Sequence, residues 1–155
     1  MHKVFWLIPG KLAGRPGPDR APWDAEALHA GGIRAVLSAN DGRSVYPGDF
    51  SALGMAYAHV PLSDSAPPRQ GDDEICLAAL PRAYIFMREQ IDAGNPVLVH
   101  CSSGKDRTGL VLAYYLLRES SCSPAAAIEK IRAVRPIALS AMGWEQFAFE
   151  LLGTA

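Results

Sequence analysis

Cysteine is scarce in this sequence: there are three, Cys76, Cys101 and Cys122, among 155 residues. An odd number without metal-ligand spacing fits reduced thiols in a cytoplasmic protein better than a disulfide framework. Net charge is almost absent, −1 at pH 7. That speaks against a general nucleic-acid or membrane-surface binder, while leaving room for a small anionic substrate, because local charge can differ from the total. Long apolar runs are missing too. The opening MHKVFWLIPG carries one only from Val4 to Ile8, too short for a signal-peptide core or a membrane span, so no stable membrane insertion is expected. No repeat, low-complexity tract or linker interrupts the chain. The Pro/Gly cluster from Gly14 to Pro22 reads as a loop inside one domain spanning residues 1–155. No metal and no cofactor is expected, and the oligomeric state is left open.

What is present is an alternation of strand and helix patterns. KVFWLI and KLAG read as an edge strand or hairpin, and WDAEALHAGG as a short helix stopped by Gly31 and Gly32. Ile33 to Ala39 reads as a strand ended by the turn signal NDG, and Ala56 to Leu62 as another. A loop, SDSAPPRQGDD, leads to a helical stretch in which Pro81 is expected to begin a second segment or kink the helix. PVLVH has the continuous apolar character of a strand buried on both faces. TGLVLAYYLLRES is a helix apolar nearly all round. SPAAAIEKIRAVRP has Ser123 as N-cap and Pro124 at the first helical position, and SAMGWEQFAFELLG closes the chain as a last helix. The pattern predicts an α/β fold: a central, mostly parallel sheet of about four to five strands flanked by helices. Ligands bind such sheets beyond the C-terminal ends of the strands, where Cys101 lies.

The segment HCSSGKDRTG, His100 to Gly109, joins that buried strand to the buried helix. A tight loop running into a helix N-terminus is an anion cradle, because its backbone N–H groups turn inward and the helix adds partial positive charge. Ser102, Ser103 and Gly104 are small enough for close backbone approach, and Lys105 and Asp106 complete the loop. Arg107 offers a planar fork that matches two phosphate oxygens. Positive surroundings of this kind favour thiolate over thiol. Nucleophile, cradle and clamp converge on one point, as an attack on phosphorus requires.

HCSSGKDRTG resembles the His-Cys-x5-Arg-Ser/Thr-Gly signature of the cysteine-dependent protein tyrosine phosphatases, and the small size and VLVHC strand resemble their dual-specificity branch. VPLSD resembles the strand that delivers the general acid of that family, and IRAVRPIAL its Arg-x-x-Arg-Pro segment. The resemblance implies hydrolysis of phosphotyrosine and phosphoserine/phosphothreonine through a phosphocysteine on Cys101. It also implies that Arg107 binds phosphate, that the Thr108 hydroxyl donates to the cysteine sulfur, and that His100 orients the loop. An aspartate roughly thirty residues before the cysteine is implied as the acid; Asp72 and Asp73 satisfy that count. Asp64 lies further upstream but has the better VPLSD context and is favoured, with Asp106 a third candidate. Asp72 and Asp73 also make natural N-caps.

Other readings stand beside these. Lys105 within GKDR resembles the lipid-active branch, so a phosphoinositide or other small phosphate ester is the alternative substrate. A non-catalytic phosphate-binding module would not need Cys101, Arg107 and an upstream aspartate together. A rhodanese-like sulfur transferase would leave Thr108-Gly109 unexplained. Cys76 and Cys122 read as structural, Arg135 as half of a structural ion pair, and Gln146 as helix surface.

Overall fold

The computed structural model describes all residues, 1–155. Five strands form one sheet: β1 (Phe5–Ile8), β2 (Leu12–Arg15), β3 (Ala35–Ser38), β4 (Ala56–His59) and β5 (Val97–His100). Their spatial order is β1-β2-β5-β3-β4. The β1–β2 hairpin is antiparallel and every other pairing is parallel. The hairpin therefore supplies an edge strand, but its second member lies inside the sheet. The centre belongs to β5, whose four residues are all buried, as a continuous Val-Leu-Val run requires.

Alternation along the strands separates two cores. Leu12, Leu37, Val97 and Val99 face α3 (Asp72–Asp92), α4 (Arg107–Ser120), α5 (Pro124–Val134) and α6 (Trp144–Thr154), within a cluster of 29 buried residues. Ala13, Val36 and Leu98 face the other way, toward α1 (Ala25–Ala30) and α2 (Pro47–Ser51), in a cluster of 8. The larger layer carries most of the burial, at about 1.5–3 kcal/mol for each large apolar side chain removed from water. α4 runs through its middle with Thr108 to Leu116 all buried. Ser123 caps α5 by accepting from the Ala126 N–H, with Pro124 following.

Two features depart from the sequence reading. A turn of 3-10 helix at Gly42–Ser44 continues the NDG turn, and the five-residue α2 lies in a stretch to which the sequence assigns no element. α2 exists because Phe50, 1% exposed, stacks on Tyr57 at 5.9 Å; tertiary burial, not propensity, makes it. Pro81 does not begin a second segment, because α3 is one helix of 21 residues with Pro81 inside it. A mid-helix proline costs about 3 kcal/mol, and the fold absorbs that by burying Cys76, Leu80, Ala83 and Met87 on the core side while Pro81 itself is exposed.

Pro81→Ala should therefore stabilise the protein by about 1–2 kcal/mol, since it restores the missing N–H and removes the ring clash while giving up some rigidity in the unfolded chain. Urea denaturation measures this directly; a lower midpoint would mean that the core packing of α3 needs the proline.

Candidate active site

The C-terminal ends of β2, β3, β4 and β5 open onto one edge, and the residues that follow them build the site. Cys101, 2% exposed, leaves β5 directly. Its loop closes into α4, in which Arg107 and Thr108 are the first two residues, after Asp106. Thr108 is therefore inside the helix, not its cap. Its hydroxyl oxygen is buried and bonds to nothing, so the expected donation to the cysteine sulfur is not made in this conformation.

For the loop N–H groups to turn inward, its carbonyls must be satisfied outside. Ser102 O accepts from Gly17 N at 2.8 Å. Ser103 O accepts from Arg135 Nη2 at 2.7 Å, and Gly104 O from Arg135 Nε at 3.2 Å. Lys105 O accepts from the N–H groups of Gly109 and Leu139. Arg135 thus forms no ion pair; its fork holds two loop carbonyls instead. Gly104 has φ +66°, and a Cβ there would lie 2.5 Å from the Arg15 carbonyl carbon. The glycine is required by β2 behind the loop as much as by a phosphate in front. Gly17 is equally constrained, since a Cβ would meet Cys101 O at 2.4 Å.

Asp106, 3% exposed, accepts from Ala141 N at 3.1 Å and pairs with Lys105 at 3.3 Å. It ties the loop to the α5–α6 connection, away from the cradle. Lys105 also donates to Ser140 Oγ at 3.2 Å, which directs its charge to the same side. Arg107 donates from Nε to Ser63 O at 2.8 Å and from Nη2 to Ser65 O at 3.5 Å, and its guanidinium lies 4.6 Å from the centre of the Trp144 ring. Trp144 Nε1 donates to Ser65 O at 2.9 Å. The segment on either side of Asp64 is therefore fastened to Arg107, and Asp64 itself is exposed. Asp72 and Asp73 occupy the first turn of α3 and are not its N-cap, which is Gly71. Asp72, 7% exposed, accepts from Arg69 N at 2.7 Å and closes the preceding turn. Gln146 bonds Glu150 on the surface of α6. Burial pushes the Cys76 thiol up, which suits an inert core residue.

A polar row crosses the sheet under this loop. Arg15, His100, Ser38 and His59 are register partners on β2, β5, β3 and β4. His100 Nδ1 lies 3.1 Å from Cys101 O and Nε2 lies 2.5 Å from Ser38 Oγ, which in turn meets Tyr57 OH at 2.7 Å. A neutral ring donating from Nδ1 accepts at Nε2, so Tyr57 donates to Ser38 and Ser38 to His100. Burial holds the His100 ring down at about 4, against the opposing bond to Cys101, and nearby Arg15 and His59 add to the downward push. Beyond His100 this row leaves no sign in the sequence, because its other members come from three different strands. Asp41, on the loop after β3, was also missed. It sits at φ 64°, one carboxylate oxygen is buried without a partner, and burial first and Asp19 second push it up, against Arg20.

Fold and site together define a cysteine-dependent phosphatase of the dual-specificity type. Residues 1–147 match the family described as the Swiss Army Knife protein, DSP-PTPase phosphatase domain, and the chain belongs to that family. It is 32% identical to the human dual specificity phosphatase 28 over 131 residues, 84% of this chain and 69% of that protein. It is 26% identical to the rat dual specificity protein phosphatase 12, over 95% of this chain but 40% of that protein. In fold it superposes on the crystal structure of Tk-PTP in the active form with a TM-score of 0.77 at 20% identity, covering 99% of both chains. The crystal structure of PTPMT1 in complex with PI(5)P gives 0.73 at 18% identity, covering 97% of this chain and 95% of that one.

The neutral His100 has a consequence for stability. The unfolded chain takes up a proton near 6.5 and the folded one only near 4, so stability present above pH 6.5 is lost as pH falls toward 4. By pH 5 the loss amounts to about 2 kcal/mol. Urea midpoints at pH 7.5 and 5 should show a steeper decline for the wild type than for His100→Asn; equal declines would mean that the ring takes its proton in the folded state.

Proposed function

We propose that this chain, acting as a single domain, hydrolyses phosphomonoesters of phosphotyrosine and of phosphoserine/phosphothreonine. The observation that carries the reading is the loop from Cys101 to Arg107, whose carbonyls are tied outward while its arginine grips the segment that bears Asp64. The Cys101 thiolate attacks phosphorus and forms the S–P bond. The P–O bond to the leaving group breaks as Asp64 gives that oxygen its proton. Asp64, now a carboxylate, takes a proton from water, and the water oxygen displaces sulfur to release inorganic phosphate. Inward N–H groups of Ser102, Ser103, Gly104, Lys105 and Asp106, with the helix N-terminus, stabilise the charge that accumulates on the phosphoryl oxygens. Arg107 retains free N–H donors beyond the two it gives to Ser63 and Ser65. His100 contributes orientation: its donation to Cys101 O fixes the start of the loop.

A lipid or other small phosphate ester is the second reading. It is favoured by the likeness to the Arabidopsis protein named phosphatidylglycerophosphate phosphatase PTPMT1, 29% identical over 70 residues, which are 44% of this chain and 21% of that protein. Lys105 counts less toward it than the sequence implied, because its charge is taken up by Asp106 and Ser140. No helix is long and apolar enough to cross a membrane. A phosphate-release panel of phosphotyrosine and phosphoserine peptides, phosphoinositides and nucleotides separates the two.

Cys101→Ser should abolish turnover while keeping phosphate binding, because a hydroxyl does not ionise near neutral pH. Turnover at wild-type rates in that variant would leave only a binding module or a different nucleophile. Asp64→Asn should slow hydrolysis by about 10²–10⁴-fold where the leaving group needs a proton. The loss should be greatest for phosphoserine, smaller for phosphotyrosine and least for nitrophenyl phosphate. The same graded loss in Asp72→Asn, with none in Asp64→Asn, would transfer the role to Asp72.

A further inference from the structure

The loop from Pro16 to Pro22 joins β2 to α1, and the phosphatase signature leaves it unused. It is nonetheless part of the site. Gly17 N donates to Ser102 O at 2.8 Å, which locks the start of the segment to the first residue after the nucleophile. The N–H groups of Arg20 and Ala21 both return to Gly17 O, at 3.1 and 3.0 Å. This compact turn presents Arg20 at the rim of the cradle, where its Nε donates to Ser102 Oγ at 3.3 Å. Arg20 is exposed. No carboxylate lies within ion-pair distance of it: Asp19 is taken by Ser44 Oγ at 2.5 Å, and Asp41 is directed into the fold. One edge of a guanidinium is thus held against the phosphate loop while its remaining N–H donors face solvent. On the other side of the loop, Lys105 is neutralised by Asp106. Of these two cations beside the cradle, Arg20 is the one that makes no salt bridge, although its charge still reaches the Asp41 carboxyl.

We propose that Arg20 forms a second anion subsite beside the phosphate cradle, selecting phosphomonoesters whose leaving group carries a second phosphate a few bonds from the first. This rests on the second reading given above, a lipid or other small phosphate ester, and deepens it by naming the substrate class. The spacing is the reason: a group bonded to the Ser102 side chain is one residue from the nucleophile, so the anion it holds must be near the scissile phosphate. A planar fork with free donors matches a phosphate or phosphodiester bidentately. A bisphosphorylated polyol and a glycerophospholipid whose head group ends in a phosphomonoester share this chemistry.

The test compares substrates in pairs. For wild type, Arg20→Gln and Arg20→Lys, kcat/KM is measured on glycerol 1-phosphate, on glycerol 1,3-bisphosphate, and on a short-chain glycerophospholipid with a terminal head-group phosphomonoester. The expected result is that Arg20→Gln lowers the ratio of either two-anion substrate to glycerol 1-phosphate by about tenfold, the loss of one charge-assisted contact, and that Arg20→Lys recovers part of it. The wild-type preference between the last two substrates tells free from lipid-borne phosphate. Calorimetry of glycerol 1,3-bisphosphate and glycerol 1-phosphate on Cys101→Ser, with and without Arg20→Gln, reads the subsite without turnover, so an inactive wild type that still prefers the bisphosphate would sink the catalytic reading but not the subsite. An unchanged ratio in both assays overturns the proposal. So does a loss confined to a phosphotyrosine peptide with an aspartate neighbour, because Arg20 would then read acidic protein.

Discussion

Every property of the site depends on how the carbonyl oxygens of one short loop are held outward. Inward N–H groups leave carbonyls that face the protein, and a buried unpaired carbonyl costs about as much as a lost hydrogen bond. Here Gly17, Arg135 and Leu139 take them up, and Gly104 gives the backbone of β2 the space to lie directly behind. The cradle is therefore a product of the whole sheet edge. The face proposed to bind phosphate is what remains once the other face has been satisfied.

A second set of contacts couples the cradle to the loop that bears Asp64. Arg107 bonds carbonyls on both sides of that aspartate and stacks on Trp144, which bonds one of the same carbonyls. One side chain serves two purposes: it is the phosphate ligand of the proposed reaction, and it fixes the segment that bears the proposed acid against the start of α4. Trp144 is fully buried, so α6 contributes rigidity to a site in which it has no chemistry.

The parts legible from sequence were those governed by neighbours in the chain. The buried strand, the loop and the apolar helix announce themselves within Val97 to Leu116, and period-2 and period-3.6 patterns gave the order of β1, β3, β4 and the helices. Where tertiary contacts overrule local preference, the reading failed. Pro81 looks like the start of a second segment because its penalty is local, whereas the burial that outweighs it is spread along 21 residues of α3. α2 has no recognisable pattern until Phe50 finds Tyr57. Arg135 looked like half of an ion pair because sequence displays its charge and not the carbonyls it meets. The polar row beneath Cys101 was invisible for the same reason, since its members are adjacent only across strands.

Arg135 stands 31 residues beyond the Gly104 carbonyl that it holds. A domain folds as a unit, so the Ser103 and Gly104 carbonyls gain this partner only when the segment after α5 docks against the loop. Completion of the cradle is thereby coupled to completion of the C-terminal third of the fold, and the ten residues from His100 to Gly109 do not build it by themselves.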